Sequence, residues 1–192
     1  MDEKELEQEK GEKNEKASNV KEILSWIIPF VAALLIAVFL KNYIIINANV
    51  PSGSMENTIM TGDRLIGNRL AYIRSNPKRG DIIIFHYPDN EQEIYVKRVI
   101  ALPGEKVEVR DGKIYIDGSE TPLDEPYLKE EWTVATGPYE FEVPEDSYLV
   151  LGDNRNDSWD ARYWANKYVA EDKILGKAVF AYWPFSSFGK LE

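Results

Sequence analysis

No cysteine occurs in the 192 residues. That absence excludes disulfides, thiolate nucleophiles and cysteine metal sites, while leaving the redox compartment open. Histidine occurs once, at His86, so a histidine-rich metal centre is excluded as well. The net charge is -10, and no clustered basic surface of the kind a phosphate backbone needs stands out, so nucleic acid is not an expected partner. Internal repeats and long linkers are also missing. The length and the 44% of apolar residues suit one ordinary folded unit.

The N-terminus has few apolar residues until it abruptly has nothing else. Residues 1–22 carry eight acids and five lysines among small polar residues, and the composition predicts a disordered tail. From Ile23 to Leu40, ILSWIIPFVAALLIAVFL, no charge occurs. Eighteen helical residues at about 1.5 Å each nearly match a hydrocarbon core of roughly 30 Å, and Tyr43 to Ile46 can extend the span if Lys41 snorkels. Pro29 would kink a soluble helix but is tolerated in a membrane. A cleavable signal peptide and a buried core helix are the alternatives. The run is longer than a signal h-region and follows an acidic tail, so residues 23–46 read as a permanent anchor. Lys10, Lys13, Lys16 and Lys21 precede the span closely and only Lys41 follows it before Arg64. The tail is therefore expected in the cytoplasm and residues 47–192 outside.

Beyond the anchor the pattern is mostly β: DIIIFHY (Asp81 to Tyr87), EIYVKRVIAL (Glu93 to Leu102) and ILGKAVFAYW (Ile174 to Trp183) are β-branched runs broken by turn residues. Arg110-Asp111-Gly112 between Lys106–Val109 and Lys113–Ile116 signals a hairpin. Pro103-Gly104 and Asp117-Gly118 mark further turns. Short helical pieces are expected around Asn57–Thr61 and Trp159–Lys167, and Glu120 to Thr136 is an irregular surface excursion. Trp183, Phe185 and Phe188 could form an interfacial aromatic surface or pack in a core.

Candidate chemistry concentrates in three places. VPSGSMENTI follows the anchor directly, and Gly53 permits close backbone approach there. Ser54 can present a nucleophilic hydroxyl, while Ser52 and the Ser54 amide are the parts of an oxyanion hole; an ordinary turn is the plainer reading. In the strand Ile94 to Ile100, Lys97 and Val99 fall on one face and Val96 and Arg98 on the other. If both faces are buried, a cation is buried with them. A buried lysine loses the hydration that favours its ammonium form and becomes a usable base, unless it merely snorkels at a sheet edge. The third place is Gly152 to Ser158, GDNRNDS, a dense polar loop after the strand YLVL. His86, at a strand end beside Pro88, is an alternative base for Ser54 and equally a structural residue.

Five blocks in order, VPSGSM, TGDRLIGNRLAY, RGDIIIFHYP, YVKRVIALPGEKVEV and VLGDNRNDSWDARYW, together resemble the bacterial type I signal peptidases. The resemblance implies an antiparallel, mostly β ectodomain behind one transmembrane helix, in the single-anchor form typical of Gram-positive bacteria. It implies a Ser-Lys dyad, with Ser54 matching the nucleophile and Lys97 the general base. Ser52 matches the oxyanion donor, Ser158 a serine that hydrogen-bonds the lysine amine, and Asp160 and Arg162 a charged pair. Gly152, Asp153, Asn154 and Arg155 match the supporting loop. The implied substrates are exported preproteins with small residues, typically alanine, at the first and third positions before the cut. The implied enzyme is a monomer at the lipid bilayer, with no cofactor and no metal. Asn57 departs from a common proline, Ala161 from a common serine and Ala165 from a frequent glycine. A catalytically silent tethered β domain that binds exported or envelope proteins is the rival from another class. Self-cleaving repressors share the dyad but not the anchor.

Overall fold

The computed structural model describes residues 3–191, which fall into two compact units, 1–43 and 44–192. The first is one helix, α1 (Glu3–Tyr43). Its part from Leu24 to Tyr43 has a mean hydropathy of 2.3 and is long and apolar enough to cross a membrane. Trp26, Phe30 and Leu34 in this part are 69%, 74% and 64% exposed. The expected disordered tail, 1–22, is helical from Glu3 onward; its Glu, Lys and Gln are strong helix formers.

The helix stops at Tyr43, three residues before the expected end of the anchor. Ile44, Ile45 and Ile46 are β-branched, and Ile45–Asn49 becomes strand β1 with Ile46 buried in a core. Antiparallel β2 (Arg64–Asn68) follows, then β3 (Ile82–Tyr87), β4 (Asn90–Ala101), β5 (Lys106–Arg110) and β6 (Lys113–Ile116). The remainder are β7 (Tyr139–Glu142), β8 (Ser147–Leu151), β9 (Val169–Ala170), β10 (Ile174–Trp183) and β11 (Gly189–Lys190). The larger sheet has the order β1-β2-β10-β3-β4-β8-β9, with β11 also on β10; the smaller has β6-β5-β7. Arg110 pairs Lys113 across Asp111 and Gly112, whose φ values of 51° and 69° are those of the two-residue turn that DG favours.

β3 explains why its sequence does not alternate. Ile83 and Phe85 enter one hydrophobic cluster, shared with Val99, Val150 and the smaller sheet. Ile82 and Ile84 enter the other, shared with Ile46, Leu65 and Ala178. A strand covered on both faces reads as a continuous apolar run. In register beside it, Ile83 faces Lys97 and Ile82 faces Arg98, so β4 carries its two cations into the same two covered faces.

The short helices expected at Asn57–Thr61 and Trp159–Lys167 do not form. The first is a series of turns, and the second holds only turns and bends, a single 3-10 turn at Arg155–Asp157 lying just before it. Isolated turns close locally, and in the first segment the side chains of Asn57 and Thr58 bond to Tyr127 and Asp153 in other parts of the chain. Residues 117–138 hold no strand, as expected of the irregular excursion. Trp183, Phe185 and Phe188 are 46%, 77% and 61% exposed, which excludes core packing for them.

Candidate active site

The chain leaving β1 turns sharply before β2. Glu56 N–H donates to the Gly53 carbonyl at 3.1 Å and Ile59 N–H to that of Met55 at 2.8 Å, while the buried Met55 and Ile59 side chains hold the turn to the core. Ser54 is thereby set against β4. Lys97 Nζ donates to Ser54 Oγ at 2.5 Å, with Lys97 3% and Ser54 7% exposed. Ser52 Oγ stands 3.4 Å from Ser54 Oγ, on the exposed side. Both seryl groups and Lys97 line a cleft of about 430 Å³ between the Asn49–Ser54 segment and Glu93–Lys97, with Trp159 at its edge.

Burial is the main cause of a fall in the Lys97 pKa to about 8, with Asp160 and Asp153 opposing it and Arg162 adding to it. The Tyr95 ring, centred 5.5 Å from the amine, covers one side without offering a charge. At pH 7 roughly one-tenth of such a lysine is already neutral, against less than a thousandth of an ordinary one.

The loop after β8 backs this pair. Asn154 N–H donates to the Ser54 carbonyl at 3.1 Å and Asn154 Nδ2 to that of Gly53 at 2.9 Å, which clamps the serine turn from behind. Gly152 must lack a side chain. A Cβ there would lie 2.3 Å from the Ser54 carbonyl oxygen and 2.2 Å from Ser158 Oγ. Ser158 is buried, yet its hydroxyl makes no hydrogen bond, so the bond to the Lys97 amine that the resemblance implied is not formed. Asp160 accepts from Arg162 Nε at 2.8 Å and Nη2 at 2.9 Å, and from the Gly152 amide at 3.1 Å. Arg155 donates to the Gly152 carbonyl at 3.0 Å. Asp153 is taken up by the other buried cation: Arg98 Nε and Nη2 reach its two oxygens at 2.8 and 2.7 Å, and Thr58 Oγ1 adds a third bond.

The expected site residues are therefore brought together around Ser54, Lys97 and the loop after β8, but His86 is not among them. Its Nδ1 is 2.7 Å from the Glu91 carbonyl, the structural role open to it from the start. Sequence reasoning missed the contribution of the irregular excursion. Glu125 pairs with buried Arg155 at 2.5 Å, and Trp132 lies under the guanidinium groups of both Arg155 and Arg162. Asn57 Nδ2 donates to the Tyr127 carbonyl at 3.1 Å from a backbone φ of 89°. A proline could not adopt that φ, so the Asn57 departure belongs with a distinct turn. The single available signal was compositional: two aromatics and several acids in a stretch otherwise broken by Pro122 and Pro126.

A serine hydroxyl beside a buried lysine amine is an arrangement that suits hydrolysis by acyl transfer. The family model described as "Signal peptidase, peptidase S26" matches residues 23–183, and the chain belongs to that family. Among its relatives, a probable signal peptidase I-2 of Synechocystis is 38% identical over 166 residues, covering 84% of this chain and 73% of the relative. A signal peptidase IB of Staphylococcus aureus is 35% identical over 184 residues, covering 88% and 93%. A crystal structure of a signal peptidase I from Enterococcus faecalis is 38% identical, covers 54% of this chain and 97% of that one, and superposes with a TM-score of 0.44. The chain is accordingly an enzyme with signal peptidase I function.

Proposed function

We propose that this enzyme is anchored by a single span, Leu24 to Tyr43, with its β unit outside the cytoplasm, and that it removes signal peptides from exported preproteins with a Ser54–Lys97 dyad. The observation that carries the reading is a buried lysine amine 2.5 Å from a serine hydroxyl at the floor of a cleft. Neutral Lys97 takes the Ser54 proton as Oγ attacks the scissile carbonyl carbon. The Ser54 amide and Ser52 hydroxyl hold the resulting oxyanion. Protonated Lys97 then gives its proton to the departing amine, leaving the signal peptide esterified to Ser54. A water deprotonated by the same lysine attacks the ester, and the proton returns to Ser54.

The cleft also suits an extended peptide. β4 pairs with β3 from Asn90 onward, but on its other edge β8 begins only at Arg98. The backbone of Glu93–Lys97 is thus open to a further strand on the cleft side, where a substrate chain would bond beside Ser54. The lysines before α1's apolar part support the orientation.

The test is cleavage of a lipid-embedded preprotein with an Ala-X-Ala site by wild type, Ser54→Ala and Lys97→Ala, with folding checked for each. Loss of cleavage in both variants supports the dyad. Undiminished cleavage by Lys97→Ala overturns it, and a folded but inert wild type returns the binding-domain reading.

A further inference from the structure

The chain is acidic overall, but between Asp63 and Asp81 it carries no acid and five cations, Arg64, Arg69, Arg74, Lys78 and Arg79. Two of these are accounted for elsewhere. Arg79 pairs with Glu105 at 2.6 Å, and Arg64 sits at the far end of β2, in register with Trp183. Arg69, Arg74 and Lys78 are exposed, and among the described residues none of them has an ion-pair partner. The same turn exposes two large apolar side chains, Leu70 at 42% and Ile73 at 67%. The turn is built, not loose. Asn68 Oδ1 caps its 3-10 helix by accepting from Leu70 N–H at 2.9 Å, and Tyr72 is held inward by Asp81 at 3.0 Å.

Its position in the fold gives this mixture of charge and apolar surface a use. Arg69 N–H donates to the Ile44 carbonyl at 2.9 Å, and Asn68 pairs with Ile45. Ile44 directly follows Tyr43, the last residue of the apolar helix. At no more than about 3.6 Å of chain per residue, this turn cannot be far from the place where the chain leaves the hydrocarbon.

We propose that the turn from Asn68 to Lys78 is a second membrane contact, a surface for anionic phospholipid headgroups. Leu70 and Ile73 enter the interfacial layer, and Arg69, Arg74 and Lys78 meet the phosphates. This rests on the reading of Leu24–Tyr43 as a span. Exposed cations with no acidic partner and apolar side chains beside them are complementary to such a surface and to little else that the anchor's exit would meet.

The absence of cysteine makes the test direct, because any introduced cysteine is the single labelling site. Full-length protein carrying Ile73→Cys with an environment-sensitive fluorophore is placed in lipid nanodiscs of phosphatidylcholine, alone or with about one-third phosphatidylglycerol. Val38→Cys in the helix and Lys113→Cys on the smaller sheet serve as references. The expected result is a blue-shifted, lipid-quenchable signal at position 73 in the anionic discs. It should fall to the water-like spectrum of position 113 in neutral discs and in the Arg69→Gln, Arg74→Gln, Lys78→Gln variant. The fraction in contact should drop on the order of tenfold or more when the three charges are removed. A water-like signal at 73 in anionic discs, with 38 in hydrocarbon, overturns the proposal and leaves the anchor standing. An equally shifted signal in neutral discs or in the charge variant overturns the headgroup role. A water-like signal at 38 removes the anchor, and this proposal with it.

Discussion

In the proposed mechanism, Lys97 is where the chemistry and the stability of this protein pull in opposite directions. Its pKa falls from 10.5 to about 8 on folding, so between those values the unfolded chain binds the extra proton. Stability therefore rises with pH across that window, and below it the fold carries a penalty on the order of 3 kcal/mol. Two outcomes are expected. Cleavage at saturating substrate should rise about tenfold per pH unit below pH 8 and level off above it, measured on a neutral peptide substrate. Lys97→Met should abolish cleavage yet raise the denaturant midpoint at pH 7, with the gain fading as pH approaches 10.5. Gly152 acts on the same pair from behind, since any Cβ there meets backbone oxygen at 2.3 Å. Gly152→Ala should displace the serine turn, lowering the maximal rate by at least tenfold while substrate affinity changes little. A rate unchanged by that substitution would show that the loop yields without cost.

Among elements, the irregular excursion from Glu120 to Thr136 matters more than its composition suggests. It supplies the carboxylate of Glu125 to Arg155, and Arg155 in turn holds the Gly152 carbonyl. Glu125→Gln leaves a buried guanidinium without its counter-charge, so a loss of about 3 kcal/mol in unfolding free energy is expected by chemical denaturation. Trp132→Ala should do similar damage by uncovering two arginines. The strands were legible in the sequence because β-branched runs and DG or PG turns are local signals: ILGKAVFAYW is β10 from end to end. Ser54 and Lys97 stood out locally only as candidates beside plainer readings, an ordinary turn and a snorkelling cation, and it was the resemblance carried by five ordered blocks that paired them. The excursion's partners were not legible. Glu125 and Arg155 lie thirty residues apart in sequence, and nothing in either segment alone names the other. The same holds for Arg98, whose burial needed Asp153 from another strand's end. Of the two short helices expected from turn-rich stretches, the first is a series of turns whose Asn57 and Thr58 side chains reach distant partners, another contact that no local signal names.

On the scale of the whole molecule, the β unit from Ile44 onward carries both hydrophobic clusters and every candidate site residue. Removing residues 1–43 should leave a folded domain, detectable by a cooperative melt, that still cleaves a short soluble peptide. Against a membrane-embedded preprotein the same truncation should lose on the order of a hundredfold or more in rate, because tethering supplies the raised local concentration. Equal losses on both substrates would mean instead that the helix stabilises the catalytic unit itself.

A single residue, Ile44, separates the end of α1 from the first strand of the sheet, and β1 is fully paired with β2 from its first residue to its last. The covalent link between the two units is therefore one residue long. A protease on a long flexible leash would sweep a hemisphere above the bilayer and meet cleavable loops of mature, already exported proteins. If α1 spans the membrane as proposed, a link this short would keep the enzyme's search close to two-dimensional, and peptide bonds that have moved away from the surface would pass out of its reach.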